Sequence, residues 1–270
     1  AEYVTAFDGS IDEAWEEYYT YGGLPLILSL EGDTAKSEYL SELYRTVYLS
    51  DIKERHDIRH SSDFSDLVSV LASSIGSPAN PLKLANTFKS TKKSTISSAT
   101  VSRYIDYLCD AFITEKSVRF DLKGKRYIGS LSKYYFTDIG IRNATLGFRQ
   151  QEESHIMENI IFNELRIRGF RVDVGNLVQR TTDKQGKTVR KSLEVDFVAD
   201  SGNNRYYIQS ALDMPTTDKV EQETRSLREI GDSFKKIVVA KGRIKPRRDD
   251  SGILTIGLFD FLLHPESLDL

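Results

Sequence analysis

The chain has 270 residues, of which 39% are hydrophobic and 29% charged, with six prolines and seventeen glycines. This composition excludes collagen-like, low-complexity and wholly disordered chains, and the length favours two domains, or two plus a small helical element, over one. The single cysteine, Cys109, excludes a disulfide framework and a multi-thiolate metal site, and suits a reducing compartment. Because no membrane-length apolar run or signal peptide is present, we expect a cytoplasmic protein without membrane contact. Ala1, in place of Met, predicts an excised part of a longer protein.

The net charge of −3 is unevenly distributed along the chain. Residues 1–80 hold five Lys or Arg against fifteen Asp or Glu, whereas residues 81–133 hold eleven against four. Such segment asymmetry indicates nucleic-acid contact better than the whole-chain charge does, although a solvated basic face also explains it. For the basic segment, a phosphate contact and a solvated face therefore both remain open.

Residues 1–77 are predicted to be a helical segment. Ser10 can cap a helix that ends at the Gly-Gly-Leu-Pro sequence of residues 22–25. Further helices are predicted at 39–48 and 64–75, where apolar residues recur three and four positions apart. Since its acidic surface would repel phosphates, this segment is expected to face a protein.

Residues 78–150 are predicted to form a winged-helix domain. The expected order is helix, Ser/Thr/Lys-rich turn, helix and basic hairpin, at residues 82–88, 90–98, 101–112 and 113–136. The second helix is predicted to bury four apolar residues at helical spacing, Val101, Ile105, Leu108 and Phe112.

The exposed positions of this domain bear on its ligand. The second helix should expose Asp106 and Asp110 beside Arg103, which disfavours base reading and leaves protein contact and DNA binding as equal alternatives. If DNA binds, we expect weak, sequence-indifferent contacts to phosphates. The basic residues expected to make them are Lys83, Lys89, Lys92, Lys93, Arg103, Lys123, Lys125 and Arg126.

Residues 151–270 are predicted to form an α/β domain, which makes the chain α+β and α/β in class, with a mixed central sheet. Helices are expected over 153–168 and 217–230, and strands near 170–174, 193–199, 205–211, 236–240 and 253–258. Along residues 193–199 the alternation predicts that Leu193, Val195 and Phe197 share one face.

A hairpin turn centred on Gly202-Asn203 predicts which residues oppose each other on two of these strands. Counting outward places Asp196 opposite Gln209 and Glu194 opposite Ala211. Directly opposed residues share a face at about 5 Å between Cβ atoms, so Asp196 and Gln209 should meet.

Several catalytic motifs are missing from the sequence. Neither common phosphate-binding loop is present, so we expect no cofactor and no ATP binding in this chain. There is no G-x-S-x-G elbow, and Cys109 has no evident His partner, so nucleophilic catalysis is unsupported.

The third segment resembles the core of the PD-(D/E)xK nuclease-like superfamily, which has a restriction-endonuclease-like fold. The matching residues are Glu158 on a largely buried helix face, Asp196 on the hairpin and the polar Gln209 on the next strand. The resemblance implies acids that hold magnesium and a lysine that assists attack of water on a phosphodiester. Where the superfamily has Glu-x-Lys, this chain has Gln209-Ser210-Ala211, so we expect a degenerate site at Glu158, Asp196 and Gln209.

Motifs along nearly the whole chain resemble one family, the C-terminal domain of unknown function carried by prokaryotic P-loop ATPases of the AAA type. That family combines a winged helix with a nuclease-like fold. The resemblance implies that an ATPase domain, which would bind ATP and Mg²⁺, precedes this region in the parent protein and is its missing partner. The matching motifs begin at Tyr21, Asp51, Thr100, Lys133, Glu158, Asn163, Glu194 and Tyr207.

Three functions remain open. The leading interpretation is a non-catalytic module that binds DNA or a protein partner under the control of the ATPase domain. The alternative is a metal-dependent nuclease that uses Glu158 and Asp196, with Glu194 or Gln209 completing the Mg²⁺ ligands. In the third, the acidic helices of residues 10–80 dock the ATPase domain, and Glu158 and Asp196 are hydrogen-bonded core residues.

Overall fold

Helices precede and flank one large mixed sheet in the computed structural model, which describes residues 1–149, 152–182 and 188–270. The predicted mixed α/β class is confirmed. Contacts divide the chain into two compact units. Unit 1 comprises Ala1–Lys116 and Ser132–Asn159, and unit 2 comprises Ser117–Leu131 and Ile160–Leu270.

Unit 1 is built mainly from helices. Their bounds are α1 Glu2–Ala6, α2 Ile11–Tyr21, α3 Asp33–Glu42, α4 Ser50–Arg55, α5 Ser61–Ser73, α6 Pro81–Lys92, α7 Ser98–Asp110 and α8 Ile139–Thr145. The helix α9, Glu153–Ile167, begins in unit 1 and continues into unit 2. A 3₁₀ helix, Pro25–Ser29, follows the Gly-Gly-Leu-Pro sequence.

The predicted start and stop of α2 are confirmed. The Ser10 hydroxyl accepts the Glu13 N–H, and the Glu13 carboxylate accepts the Ser10 N–H, which is a capping box. Gly22 ends the helix at φ 76°, a left-handed backbone that favours glycine.

The helix predicted at 39–48 is divided in the structure. A π-helix, Leu43–Leu49, lies between α3 and α4, so the helical run is longer than predicted and wider in the middle. The wider turn changes which apolar residues are inside, since Val47 is 51% exposed and Leu49 is buried, and α-helical spacing in the sequence does not show this.

The second helix of the predicted winged helix ends two residues early. Val101, Ile105 and Leu108 are buried as predicted. The prediction that Phe112 is buried is wrong, because its side chain is 80% exposed. The Phe112 N–H bonds to the Cys109 carbonyl and the Ile113 N–H to the Leu108 carbonyl, each at 3.0 Å. This Schellman motif turns Phe112 outward at φ 55° and directs Ile113 into the core.

Among the described residues, eight strands form one sheet in the order β2-β1-β3-β4-β5-β6-β8-β7. The pairs β1/β3, β5/β6 and β6/β8 are parallel, and β3/β4, β4/β5 and β7/β8 are antiparallel. The bounds are β1 Thr114–Asp121, β2 Arg126–Phe136, β3 Arg171–Thr182, β4 Thr188–Ser201, β5 Asn204–Ala211, β6 Lys235–Ala240, β7 Arg247–Arg248 and β8 Leu254–Gly257.

The β4/β5 hairpin has the predicted register, with Ser201 opposite Asn204 and Phe197 opposite Ile208. The predicted alternation on β4 is wrong at one point. The β3/β4 register changes between Asp173 and Gly175, so that Val174 faces two β4 residues in a β-bulge. Val195 therefore packs in the same cluster as Val198, whereas Phe197 contacts Phe162 of α9.

Helices cover both faces of the sheet in unit 2. The helix α10, Thr217–Arg228, packs Leu227 into the cluster that holds Val195 and Tyr207. The helix α11, Leu258–Leu263, follows β8 and precedes a 3₁₀ helix, Pro265–Asp269. In the part of the chain that the structure describes, no helix is both long and apolar enough to cross a membrane.

The two units have different bounds from the predicted segments 1–77, 78–150 and 151–270. Residues 1–77 and most of 78–150 share unit 1, and the β1/β2 hairpin tip belongs to unit 2. The winged-helix and nuclease-like assignments stay predictions.

Candidate functional site

The structure brings Asp196 and Gln209 together. The Gln209 amide Nε2 donates to Asp196 Oδ2 at 2.7 Å, and the backbone N–H of Ser210 donates to the same oxygen at 2.9 Å. Ser226 of α10 donates to Gln209 Oε1 at 3.4 Å. The bulge on β4 explains the local geometry, because Asp196 is one of the two residues that face Val174.

Glu158 has the buried partners that its position requires. The carboxylate Oε1 accepts a hydrogen bond from Lys133 Nζ at 2.9 Å and another from the Tyr135 hydroxyl at 2.7 Å. Both cationic and anionic side chains are nearly inaccessible, with 3% of Lys133 and 11% of Glu158 exposed. Gly76 leaves room for them, because a Cβ there would lie 2.9 Å from Glu158 Oε2.

The residue after Glu158 holds the same strand. The Asn159 side chain accepts the Phe136 N–H at 2.8 Å and donates to the Phe136 carbonyl at 2.7 Å. Two motifs noted separately in the sequence, at 133–140 and at 158–159, thus meet in unit 1.

Glu194 lies opposite Asn176 on β3 and is half-buried. Asn176 accepts hydrogen bonds from Arg119 and Ser192. Glu194 and Asp196 belong to unit 2, and Glu158 to unit 1. Among the described residues, no group of three or more His, Cys, Asp or Glu could hold a metal ion.

The eight predicted DNA-binding residues are all exposed. Five lie in unit 1, on α6, after it and on α7, and three lie in unit 2, at the turn between β1 and β2. Lys92 forms an ion pair with Asp66, and Arg126 lies 3.9 Å from Asp121. The Asp121 carboxylate accepts the N–H groups of Lys123 and Gly124, which shapes the turn.

The α6 helix carries three exposed lysines and no acidic residue, and Lys92 among them pairs with Asp66 of α5. Residues 67–105 contain five Lys or Arg and no Asp or Glu. The Asn80 side chain caps α6. The exposed face of this helix carries a shallow groove of about 490 Å³. The groove is lined by Asn80, Leu82, Lys83, Asn86, Thr87 and Ser90.

A second surface, which the sequence analysis missed, lies in unit 2. Arg171 and Arg205 stack on the rings of Tyr127 and Phe120, at 5.0 and 5.2 Å from guanidinium carbon to ring centroid. Arg205 also lies 5.8 Å from the ring of Phe234. Each of these five side chains was visible in the sequence, but their proximity depends on strands far apart in the chain.

A comparison with protein families identifies a match over residues 12–152, just over half of the chain, to a family described as Domain of unknown function (DUF8612). The chain belongs to this family. The match covers most of unit 1, so the DUF8612 region includes α2 to α8 and the two strands β1 and β2.

Two curated relatives of this DUF8612 chain are described as uncharacterized proteins. The one from Haemophilus influenzae is 32% identical over 254 residues, covering 94% of this chain and 59% of the relative. Protein MJ1544 of Methanocaldococcus jannaschii is 31% identical over 210 residues, covering 78% and 44%. The chain therefore spans about half the length of these relatives.

One solved structure, protein VC1899 from Vibrio cholerae, is similar at 15% identity and a TM-score of 0.31. The similarity covers 84% of this chain and 53% of VC1899.

Proposed function

We propose that this chain is a non-catalytic module of a larger protein and binds DNA through the exposed face of α6. The observation that carries this proposal is the stretch of residues 67–105, which has five basic residues and no acidic one. By contrast, residues 1–66 hold all fifteen acidic residues of the first 80. A phosphate backbone would be attracted to the basic stretch and repelled by the acidic one, apart from Asp66, which pairs with Lys92 of α6.

The contact is with phosphates rather than base edges. On α7, Asp106 and Asp110 are exposed, as Arg103 is, three and seven residues further along the helix, and their charges disfavour contact with DNA. On α6, the exposed face combines lysines with Asn86, Thr87 and Ser90, side chains that donate hydrogen bonds to phosphate oxygens. Binding is therefore weak, indifferent to sequence and strongly dependent on salt.

The larger protein is an ATPase of the AAA type in this proposal. The support is the motif resemblance described above, together with curated relatives longer than this chain. ATP and Mg²⁺ would bind to the ATPase domain, which is the module's first partner. A protein ligand on the acidic helices of unit 1 is compatible with the same scheme.

The hydrogen bonds of the nuclease-like residues disfavour a nuclease. Gln209 uses its amide N–H on Asp196 and its carbonyl on Ser226, and Glu158 is held by Lys133 and Tyr135. The described residues do not fit a magnesium site, because no three metal-binding side chains cluster among them.

The test is the affinity for fluorescein-labelled duplex DNA, measured by anisotropy between about 50 and 200 mM salt. The variant Lys83→Gln/Lys89→Gln/Lys93→Gln should bind more weakly, with a salt slope reduced by about 0.9 for each phosphate that the variant no longer neutralises. The control, Arg45→Gln/Arg55→Gln/Arg59→Gln, removes the same charge from side chains that are 60 to 85% exposed in the acidic half. Equal effects of the two variants, or duplex binding insensitive to salt, would contradict the α6 contact.

A further inference from the structure

A row of rings and guanidinium groups crosses one end of the sheet in unit 2, and we call it the aromatic row. It comprises Tyr127, Phe120, Arg171, Arg205 and Phe234. The rings of Phe120 and Tyr127 are 5.3 Å apart, Arg171 stacks on Tyr127, and Arg205 lies beside Phe120 and Phe234. The contacts therefore run without interruption from Tyr127 to Phe234.

Cross-strand pairing fixes this row. Arg171 lies opposite Asp200 in the β3/β4 register, and Asp200 lies opposite Arg205 in the β4/β5 register. The Arg205 guanidinium binds both Asp200 oxygens, at 2.6 and 2.7 Å. This fork geometry holds the guanidinium plane in place, so that Arg205 supports the Phe120 and Phe234 rings.

The two end rings are open to solvent. Tyr127 is 47% exposed and Phe234 is 41% exposed, whereas Phe120 between them is almost buried. The Tyr127 hydroxyl donates to Asp173 at 3.0 Å, which orients its ring, and Tyr207 packs against Phe234. Rings that neighbouring groups hold in position and that keep a large exposed fraction are preorganised to stack on another flat group.

The charge beside the row suits a polyanion. The turn from Asp121 to Lys125 joins the strands that carry Phe120 and Tyr127, and it exposes Lys123, Lys125 and Arg126. The acidic residues beside the row are engaged, since Asp200 pairs with Arg205 and Asp232 accepts the Tyr207 hydroxyl. Burial raises the pKa of Asp173, and Arg171 lies 3.5 Å from its carboxylate.

We propose that the aromatic row binds the unpaired bases of single-stranded nucleic acid, with the basic β1/β2 turn contacting the phosphates beside them. Exposed aromatic rings, interleaved with arginine and flanked by lysine, are what base stacking on a single strand requires. A duplex offers no such bases, because its bases are stacked on each other. The row lies in unit 2 and does not depend on the α6 contact of unit 1.

Anisotropy of fluorescein-labelled oligothymidylate and oligouridylate, with the full chain, tests the proposal. Tyr127→Ala and Phe234→Ala should each weaken binding roughly fivefold or more without changing the salt slope, because each removes a stacking ring and no phosphate contact. Tyr127→Phe should retain the affinity, since it keeps the ring and loses only the hydrogen bond to Asp173. Lys123→Gln/Lys125→Gln should instead reduce the salt slope, by about 0.7 for each phosphate that is no longer neutralised.

The matched control is Phe112→Ala, which removes an 80% exposed ring in unit 1 and should leave affinity unchanged. Thermal unfolding of each variant shows whether the sheet has kept its fold. The proposal is overturned if both alanine variants bind as the natural chain does, if Phe112→Ala weakens binding equally, or if unlabelled duplex competes as well as the single strand. Tighter binding of oligothymidylate would assign the row to single-stranded DNA, and tighter binding of oligouridylate to RNA. The α6 variant should leave single-strand binding intact, so failure of one proposal is distinguishable from failure of the other.

Discussion

At the residue scale, the buried charged side chains Glu158 and Arg142 of unit 1 both have hydrogen-bond partners. Glu158 is bound by Lys133 and Tyr135, and the fully buried Arg142 donates from Nε to the Ala72 carbonyl at 2.8 Å. Burial lowers the pKa of Arg142. Glu158, Lys133 and Tyr135 occur in motifs on which the family resemblance rests, yet their bonds join a helix and a strand. In this chain, these buried polar side chains make structural contacts.

The Lys133–Glu158 pair provides the first prediction at this scale. Glu158→Gln should destabilise unit 1 by about 3 to 5 kcal/mol, because it leaves the Lys133 ammonium buried without its counter-charge. The double variant Lys133→Met/Glu158→Gln should lose less than Glu158→Gln alone, since neither charge remains. The emission of Trp15, which is 6% exposed and the only tryptophan of the chain, reports unfolding of unit 1 in urea.

An exposed ion pair is the matched control for this cycle. Arg55 and Asp51 are 60% and 53% exposed and lie one helical turn apart, so Arg55→Met/Asp51→Asn should cost less than about 1 kcal/mol. Additive losses for Lys133→Met and Glu158→Gln would show that the buried pair has no coupling energy, contrary to its geometry.

At the scale of elements, side chains at the start of α8 and within it form hydrogen bonds to the backbone at the end of α2. The Asp138 carboxylate accepts the N–H groups of Gly23 and Ile141, at 2.9 and 3.0 Å. The Asn143 amide donates to the last carbonyls of α2, at Tyr19 and Thr20. The backbones approach so closely that a Cβ on Gly140 would lie 2.0 Å from the Tyr21 carbonyl oxygen.

Gly140→Ala tests this junction. Because the clash is with backbone, which cannot rotate away, we expect a loss of about 1 to 3 kcal/mol or more in the urea unfolding of unit 1. Gly231→Ala is the matched control, since a Cβ there meets no atom within 4 Å. A midpoint for Gly140→Ala equal to that of Gly231→Ala would rule out the close approach.

The order of the main helices and strands was predictable, but the connections between them less so. Capping residues and apolar spacing predicted α2, α5, α7 and α10, because these signals are local. The Schellman turn at Phe112 and the bulge before Phe197 were missed, since each depends on backbone hydrogen bonds that residue types do not reveal. The short helix α8 was missed because its residues are almost all buried and show no amphipathic pattern.

In the candidate sites, too, contacts set by local sequence were predictable, and contacts between distant segments were not. The contact between Asp196 and Gln209 was predictable from the hairpin count, because a short turn fixes the register. The aromatic row was not, because β1 and β3 pair across some fifty residues, with Phe120 opposite Gly175. The partners of Glu158 come from β2, and nothing in its own helix identifies Lys133 as one of them.

At the scale of the whole molecule, the two units are joined by continuous elements rather than by a linker. The strands β1 and β2 and the helix α9 each contain residues of both units. Compositional boundaries at 77 and 150 therefore do not separate these units. A chain whose elements cross from one unit to the other is expected to resist division at a single point.

Division at residue 150 tests this expectation. A fragment of residues 151–270 lacks β1 and so exposes the edge of β3 that normally pairs through Arg119, Phe120 and Asp121. A fragment of residues 1–150 lacks Glu158 and Asn159, which hold Lys133, Tyr135 and Phe136 in the whole chain. We expect neither fragment to show a cooperative urea transition at the midpoint of the whole chain.

A fragment of residues 1–167 is the matched control, because it contains the whole of α9, whose first residues, up to Asn159, belong to unit 1. Its Trp15 emission should change at a higher urea concentration than that of residues 1–150, because the Glu158 and Asn159 bonds to β2 are regained. Replacing both residues by alanine within 1–167 should return the midpoint to that of the shorter fragment. Equal midpoints for 1–150 and 1–167 would instead show that residue 150 is a true domain boundary, as the sequence alone predicts.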